Sequence, residues 1–273
     1  MNKKSLVIGF VGVLLISVGS VQADFTQIFS EGWSGDTGHN GSNLNNWNHE
    51  SDYGDGTATD ITILSAGAPY GNILSLDPPN RPQPPYGQPS EYSVGIKTKS
   101  SYSSAALNDV LSIKSKIQLL DDGGGAGVIA FARSTNPLYG YGLAVSRYIN
   151  NDAILEIRKF TGTLDSTGFG YHIVSGLSAI DINTYRLQAT FNSGSTEFDV
   201  YVNGSTTPIA ALNYTDDSPV SLDGSVNFVL ASNIGQKAYF DDFLAEGDVI
   251  PEPATLLLLG LGGMVLRRKN KLV

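Results

Sequence analysis

The chain has 273 residues, with 17 Lys and Arg against 26 Asp and Glu and a formal net charge of −9. It contains no cysteine, which excludes disulfides, thiolate metal sites and cysteine nucleophiles. So acidic a chain lacks the basic footprint that phosphate backbones require, which speaks against DNA or RNA as a partner.

The chain opens on a basic start, Lys3 and Lys4, followed by an apolar stretch from Leu6 to Val18 broken only by glycines and Ser17. Val21-Gln22-Ala23 then supplies small residues before a cut. This is a secretory signal peptide pattern, so residues 1–23 are expected to be removed by signal peptidase between Ala23 and Asp24. A retained N-terminal anchor is the alternative.

Asp24 to Asp60 is rich in Gly, Asn, Ser and Asp and predicts one short strand, Phe25–Phe29, followed by long loops. The acidic run at 52–60 has neither the ligand spacing nor the terminal Glu of an EF-hand loop, and Asp-Gly turn chemistry explains it better. Ile61–Leu64 and Ile73–Leu76 are short strand candidates. Six prolines between Pro78 and Pro89 predict an extended surface loop.

From residue 91 the period becomes two. Leu111, Ile113, Ile117 and Leu119 alternate with Ser112, Lys114, Lys116 and Gln118, the mark of a strand with one face in a core. Glycines 123–125 turn the chain. They are not a phosphate loop, because no Gly-Lys-Ser/Thr and no helix follows. Further strands are predicted at 128–132, 141–145, 154–160, 171–175, 185–191, 198–202, 209–212, 226–231 and 238–244. Asn203-Gly204 is a hairpin signal. About twelve short strands and no soluble helix predict an all-β, antiparallel β-sandwich or jelly roll across residues 24–249.

The strand order, the Asn-Gly hairpin and the last strand Ala238-Tyr-Phe-Asp-Asp-Phe243 resemble the concanavalin A-like (laminin G and glucanase-like) superfamily. The galactose-binding carbohydrate-module jelly roll, which also ends in an aromatic-Asp-Asp strand, resembles it nearly as well. The first resemblance raises glucan hydrolysis, which in that family uses Glu-x-Asp-x-x-Glu on one strand. Here Glu197-Phe-Asp199-Val-Tyr-Val202 lacks the second Glu, so no catalytic residue is assigned. His39, His49 and His172 show neither zinc spacing nor a Gly-x-Ser-x-Gly elbow nearby.

Aromatic faces can cover a pyranose ring. Trp33 and Trp47, in Asn-rich loops, are the glycan-binding candidates, with Tyr139, Tyr141, Tyr148 and Tyr171 behind them. In the last strand, alternation puts Asp241 and Asp242 on opposite faces among apolar neighbours, where a carboxylate must be paired, hydrogen-bonded or bound to a metal. The carbohydrate-module resemblance implies a structural Ca2+ held by Asp242 and, from the N-terminal region, Glu31, with the adjacent Asp241 a further metal candidate. Backbone N–H groups bonding the carboxylates are the competing account.

Residues 250–273 close the chain in three parts. Pro251-Glu252-Pro253 is extended. Ala254 to Leu266 is uncharged and apolar apart from Thr255, and about 20 Å long as a helix, short of the ~30 Å hydrocarbon core. Arg267, Arg268, Lys269 and Lys271 form a basic end that stays on the cytoplasmic side and leaves everything before Pro251 outside. These parts resemble the PEP-CTERM sorting signal of Gram-negative bacteria. That resemblance implies transient inner-membrane anchoring with the body in the periplasm, removal of the tail by an exosortase, and association with exopolysaccharide. Taking both ends away removes six Lys or Arg and one Glu, leaving 11 basic against 25 acidic residues, a body of −14. The expected product is an extracellular or cell-surface protein that binds glycan or serves as a component of an exopolysaccharide matrix. A carbohydrate-active enzyme and a purely structural surface protein are the alternatives.

Overall fold

Alternation of apolar and polar residues governs the fold. In the computed structural model, Leu111, Ile113, Ile117 and Leu119 point into a shared core, while Lys114, Lys116 and Gln118 face outward from the same strand. The structure describes residues 25–33, 44–49, 61–67, 71–78, 93–103, 110–120, 125–133, 139–161, 166–222, 225–233 and 236–248. The signal cleavage site, the 52–60 loop, most of the proline-rich segment, His39 and the whole sorting tail lie outside them.

Sixteen strands occur among the described residues. They are β1 (Phe25–Glu31), β2 (Trp47–His49), β3 (Ile61–Gly67), β4 (Gly71–Leu76), β5 (Ser93–Thr98), β6 (Tyr102–Ser103), β7 (Val110–Leu119), β8 (Ala126–Ala132), β9 (Tyr139–Arg147), β10 (Asp152–Thr161), β11 (Ser166–Ser178), β12 (Asn183–Asn192), β13 (Ser195–Val202), β14 (Tyr214–Asp216), β15 (Ser225–Asn233) and β16 (Ala238–Asp248). They form two antiparallel sheets. The first runs β14-β13-β12-β7-β16-β4-β3, with β1 also paired to β16. The second runs β11-β10-β9-β8-β15-β5-β2, with β6 also paired to β15. The expected sandwich is therefore present, with its core between the sheets.

Three expectations are corrected. Ile209–Leu212 is not a strand. Asn203 (φ 50) and Gly204 (φ 73) make the left-handed turn that Asn-Gly favours, but a 3-10 turn at Ala210–Leu212 follows, and the chain pairs again only as β14. Trp33 and Trp47 do not face solvent; both are fully buried. They pack on each other at 5.7 Å, and Trp47 meets Phe29 and Phe243 at 5.5 Å each, so the aromatic cluster under the N-terminal strands leaves them no face for a sugar. Tyr141 is likewise buried, whereas Tyr148 and Tyr171 are exposed.

Tyr141 has a different task. Its hydroxyl donates to Asp216 Oδ2 at 2.7 Å and accepts from the Val220 N–H at 2.8 Å. Lys159 Nζ reaches the same carboxylate oxygen at 2.8 Å, and the Ser218 N–H donates to Oδ1 at 3.0 Å. This buried knot ties β9 and β10 of the second sheet to β14 at the edge of the first. Burial would push the Asp216 carboxyl up, but the bonds from Lys159, Tyr141 and Ser218 together with the Lys159 charge hold it below its ordinary value. Such a carboxylate stabilises the fold above the ordinary carboxylate range, and that stability is lost as pH falls through the lowered native value. Asp216→Asn, which leaves Lys159 without its counter-charge, is expected to cost about 3–5 kcal/mol at neutral pH. The deficit relative to the parent should shrink below about pH 4. Denaturant melts at the two pH values check both statements, and an equal deficit at both would contradict the ionic account.

Candidate functional site

The outward-facing residues of the first sheet line up in rows across its strands, because antiparallel partners stand directly opposite one another. One row reads Tyr201 on β13, Arg186 on β12, Lys114 on β7, Leu244 on β16 and Ser30 on β1. The next row places Thr184 beside Lys116 and Lys116 beside Asp241. On the other side run Asp199, Gln188, Ser112 and Glu246. A cationic stripe thus crosses an otherwise acidic body.

Above this stripe lies a cleft of about 450 Å³, walled by Lys114, Lys116, Arg186, Tyr201, Thr206 and Asp242. That volume falls in the range of small-ligand sites. A shallower hollow of about 320 Å³ continues it towards Gln27, Glu31 and Leu244, and the two share Lys114 and Asp242. The turn at Asn203–Thr206 forms one end. Asn203 fixes that turn on β12, accepting from the Thr184 N–H at 3.0 Å and donating to Asn183 Oδ1 at 2.9 Å.

The floor depends on a bulge in β16. Asp241 stands opposite Lys116 and Leu244 opposite Lys114, so two residues, Asp242 and Phe243, occupy the space of one. Asp242 adopts φ 47 to make the bulge. The extra residue inverts the later side chains: Phe243 enters the core and Leu244 faces out. The expected faces are corrected accordingly. Asp241 is buried on the outer side with Tyr239, and Asp242 projects from the bulge, shared with neither set.

The two carboxylates share one cation. Lys116 Nζ lies 2.5 Å from Asp242 Oδ2 and 3.4 Å from Asp241 Oδ2. Burial, then the neighbouring Asp242 charge, push the Asp241 carboxyl up, against the pull of the Asp242 N–H and Lys116. Lys116 is raised, first by its bond to Asp242 and against burial. Glu31 is engaged elsewhere: Oε1 accepts from the Trp33 N–H at 3.0 Å and Oε2 from Asn46 Nδ2 at 2.7 Å. These residues do not fit a calcium ion. Calcium takes 6–8 oxygens, whereas here an ammonium group already sits between the carboxylates and Glu31 is spent holding a turn. Among the described residues no three acidic or histidine side chains converge on a metal position.

Glu197 and Asp199 lie on the same outer face, and Glu197 is held by Asn192 at 2.9 Å. Val202, which stands where the hydrolase pattern has its second Glu, packs inward on the core. The outer face of the second sheet is different in kind. Ala126, Val128, Ala130, Ala144, Phe160 and Val229 form a separate buried apolar cluster there. Lys114, Arg186 and Tyr201 were not foreseen as a site. Each appeared in the sequence only as the polar member of an alternating pair.

Residues 249–269 match the PEP-CTERM protein-sorting motif. No curated protein matches the chain. Solved structures share the fold, a sandwich of two antiparallel β-sheets. The laminarinase from Rhodothermus marinus is 14% identical over 83% of this chain and 99% of its own, with a TM-score of 0.53. The Emp46p carbohydrate recognition domain in its potassium-bound form is 10% identical over 83% and 100%, with a TM-score of 0.53. The Emp47p carbohydrate recognition domain is 11% identical over 85% and 100%, with a TM-score of 0.51. At such identities the likeness is one of fold.

Lys116→Met is expected to lower stability by about 1–3 kcal/mol, because it leaves Asp241 buried without its cation. The loss should grow as pH rises through the raised Asp241 value, since a carboxyl lifted in the native state favours folding most when protonated. Melting curves of the parent in calcium and in chelator are expected to coincide. A calcium-dependent rise that Asp242→Ala abolishes would return the metal to this site.

Proposed function

We propose that the protein is exported through its signal peptide, held briefly at the inner membrane by its tail, and released by an exosortase to the cell surface or an extracellular matrix. There its sandwich, residues 24–249, binds polysaccharide. The sorting motif at 249–269 is the observation that carries this reading, because it supports export and exosortase processing, after which polysaccharide is the partner we expect for the body. The cleft on the first sheet supports it with an open, polar, ligand-sized site. A structural Ca2+ remains the one cofactor that the resemblance brings, and the Lys116 pair argues against it at Asp241 and Asp242.

Processing is tested by intact mass. The mature protein is expected to begin at Asp24 and to lack everything after about Pro253. Neutral replacements of Arg267, Arg268 and Lys269 should weaken retention before cleavage. Recovery of the full C-terminus from the medium would contradict the account. A glycan array with residues 24–249 tests binding. Polysaccharide reducing-end release, measured in parallel, would instead support the carbohydrate-active enzyme.

A further inference from the structure

The cations of the first-sheet cleft are not equivalent. Lys116 is consumed by Asp241 and Asp242. Arg186 lies over the Tyr201 ring, its guanidinium carbon 3.7 Å from the ring centroid. Tyr201 is only 8% exposed beneath it. Arg186 Nε is buried without a hydrogen-bond partner. Among the described residues no carboxylate lies at ion-pair distance from Arg186 or Lys114. Burial, then the Glu197 charge, push the nearby Asp199 carboxyl up, and the Arg186 charge only partly opposes them.

A guanidinium held over a ring keeps its terminal N–H groups at its rim, and a pair of them matches a carboxylate in a two-bond fork. Cross-strand register puts Lys114 directly beside Arg186. Neighbouring strands stand about 4.8 Å apart, so one anionic group can meet both cations. The body as a whole carries −14 once the two ends are removed, so general attraction cannot explain a stripe of unspent positive charge here. A long, densely charged polyanion would be repelled by the rows holding Asp199 and Glu246. The arrangement suits an isolated acidic residue within a saccharide.

We propose that the cleft over Arg186, Tyr201 and Lys114 binds an acidic saccharide, seating a sugar carboxylate on the edge of Arg186 with Lys114 as the second cation. This rests on the glycan-binding reading above and names its ligand class. Thr206 and the Asn203–Gly204 turn close the end of the cleft beside Tyr201.

Titration calorimetry of residues 24–249 tests it with three probes: a short hexuronic-acid oligosaccharide, the same oligosaccharide with its carboxyls reduced to alcohols, and inorganic phosphate. The uronate form is expected to bind at least tenfold more tightly than the reduced form, and more weakly as salt rises. Arg186→Met, which keeps the stacked stem and removes the fork, should erase that preference. Arg186→Lys should restore only part of it, and Lys114→Met should weaken it several-fold. Circular dichroism and melting temperature establish that each variant is folded. If Arg186→Met fails to fold, the Arg186→Lys and Lys114→Met results decide. Equal binding of the uronate and reduced forms would overturn the acidic ligand while leaving glycan binding intact. Phosphate binding with neither oligosaccharide bound would overturn the acidic saccharide as the ligand of this cleft, while the glycan array alone decides the glycan-binding reading.

Discussion

The ammonium of Lys116, set between Asp241 and Asp242, is the contact on which the first sheet depends. β16 is that sheet's central seam. It pairs with β7 along nearly its whole length, with β4 only through Ala238–Phe240, and with β1 only after the bulge. The exchange of one neighbour for another happens at the bulge, where the ladder is interrupted and a non-glycine residue stands at positive φ. Two adjacent carboxylates there would repel each other and one is buried. Lys116 bridges both with its single charge, and Ser115 on the opposite face donates to the Asp241 carbonyl at 2.9 Å. Consecutive residues of β7 thus clamp the irregular point of β16 from its two sides.

The same irregularity sets the site. Because the bulge inverts parity, Phe243 fills the aromatic core beside Trp47, and Leu244 takes its place in the row with Lys114 and Arg186. Without it the row would carry Phe243 outward and lose its core anchor. Lys116, spent on the bulge, leaves Lys114 and Arg186 as the cations available to a ligand. Stability and recognition therefore draw on alternate lysines of one strand. The Tyr141–Asp216–Lys159 knot does the corresponding work between the sheets, holding β14 and hence the β13 edge that carries Tyr201.

Much of the fold was legible in the alternation of β7, β12 and β13, where most inward positions are apolar. The strands that escaped notice, β2, β5, β6 and β14, are two to six residues long and too short to show a period. The site was less legible for two physical reasons. A cross-strand row joins residues 30, 114, 186, 201 and 244, and sequence gives each strand's faces but not its register. The bulge at Asp242 also reverses side chains that strict alternation assigns the other way, which misdirected the expectation for the last strand. Trp33 and Trp47 misled differently: they sit among Asn and Gly yet anchor the core, since loop composition does not reveal that a turn folds inward. Their neighbour Glu31 secures that inward turn through the Trp33 N–H.

The outer faces of the two sheets offer different chemistry, one with a cleft that holds Lys114 and Arg186 beside acidic rows, the other with a buried apolar cluster. The central claim is that recognition belongs to the first. Amide hydrogen exchange of residues 24–249, read with and without a saturating acidic oligosaccharide, tests it most directly. The account predicts slower exchange confined to β7, β12 and the Asn203–Thr206 turn, with β8 and β9 unchanged. Protection of β8 and β9, with the first sheet unaffected, would contradict it.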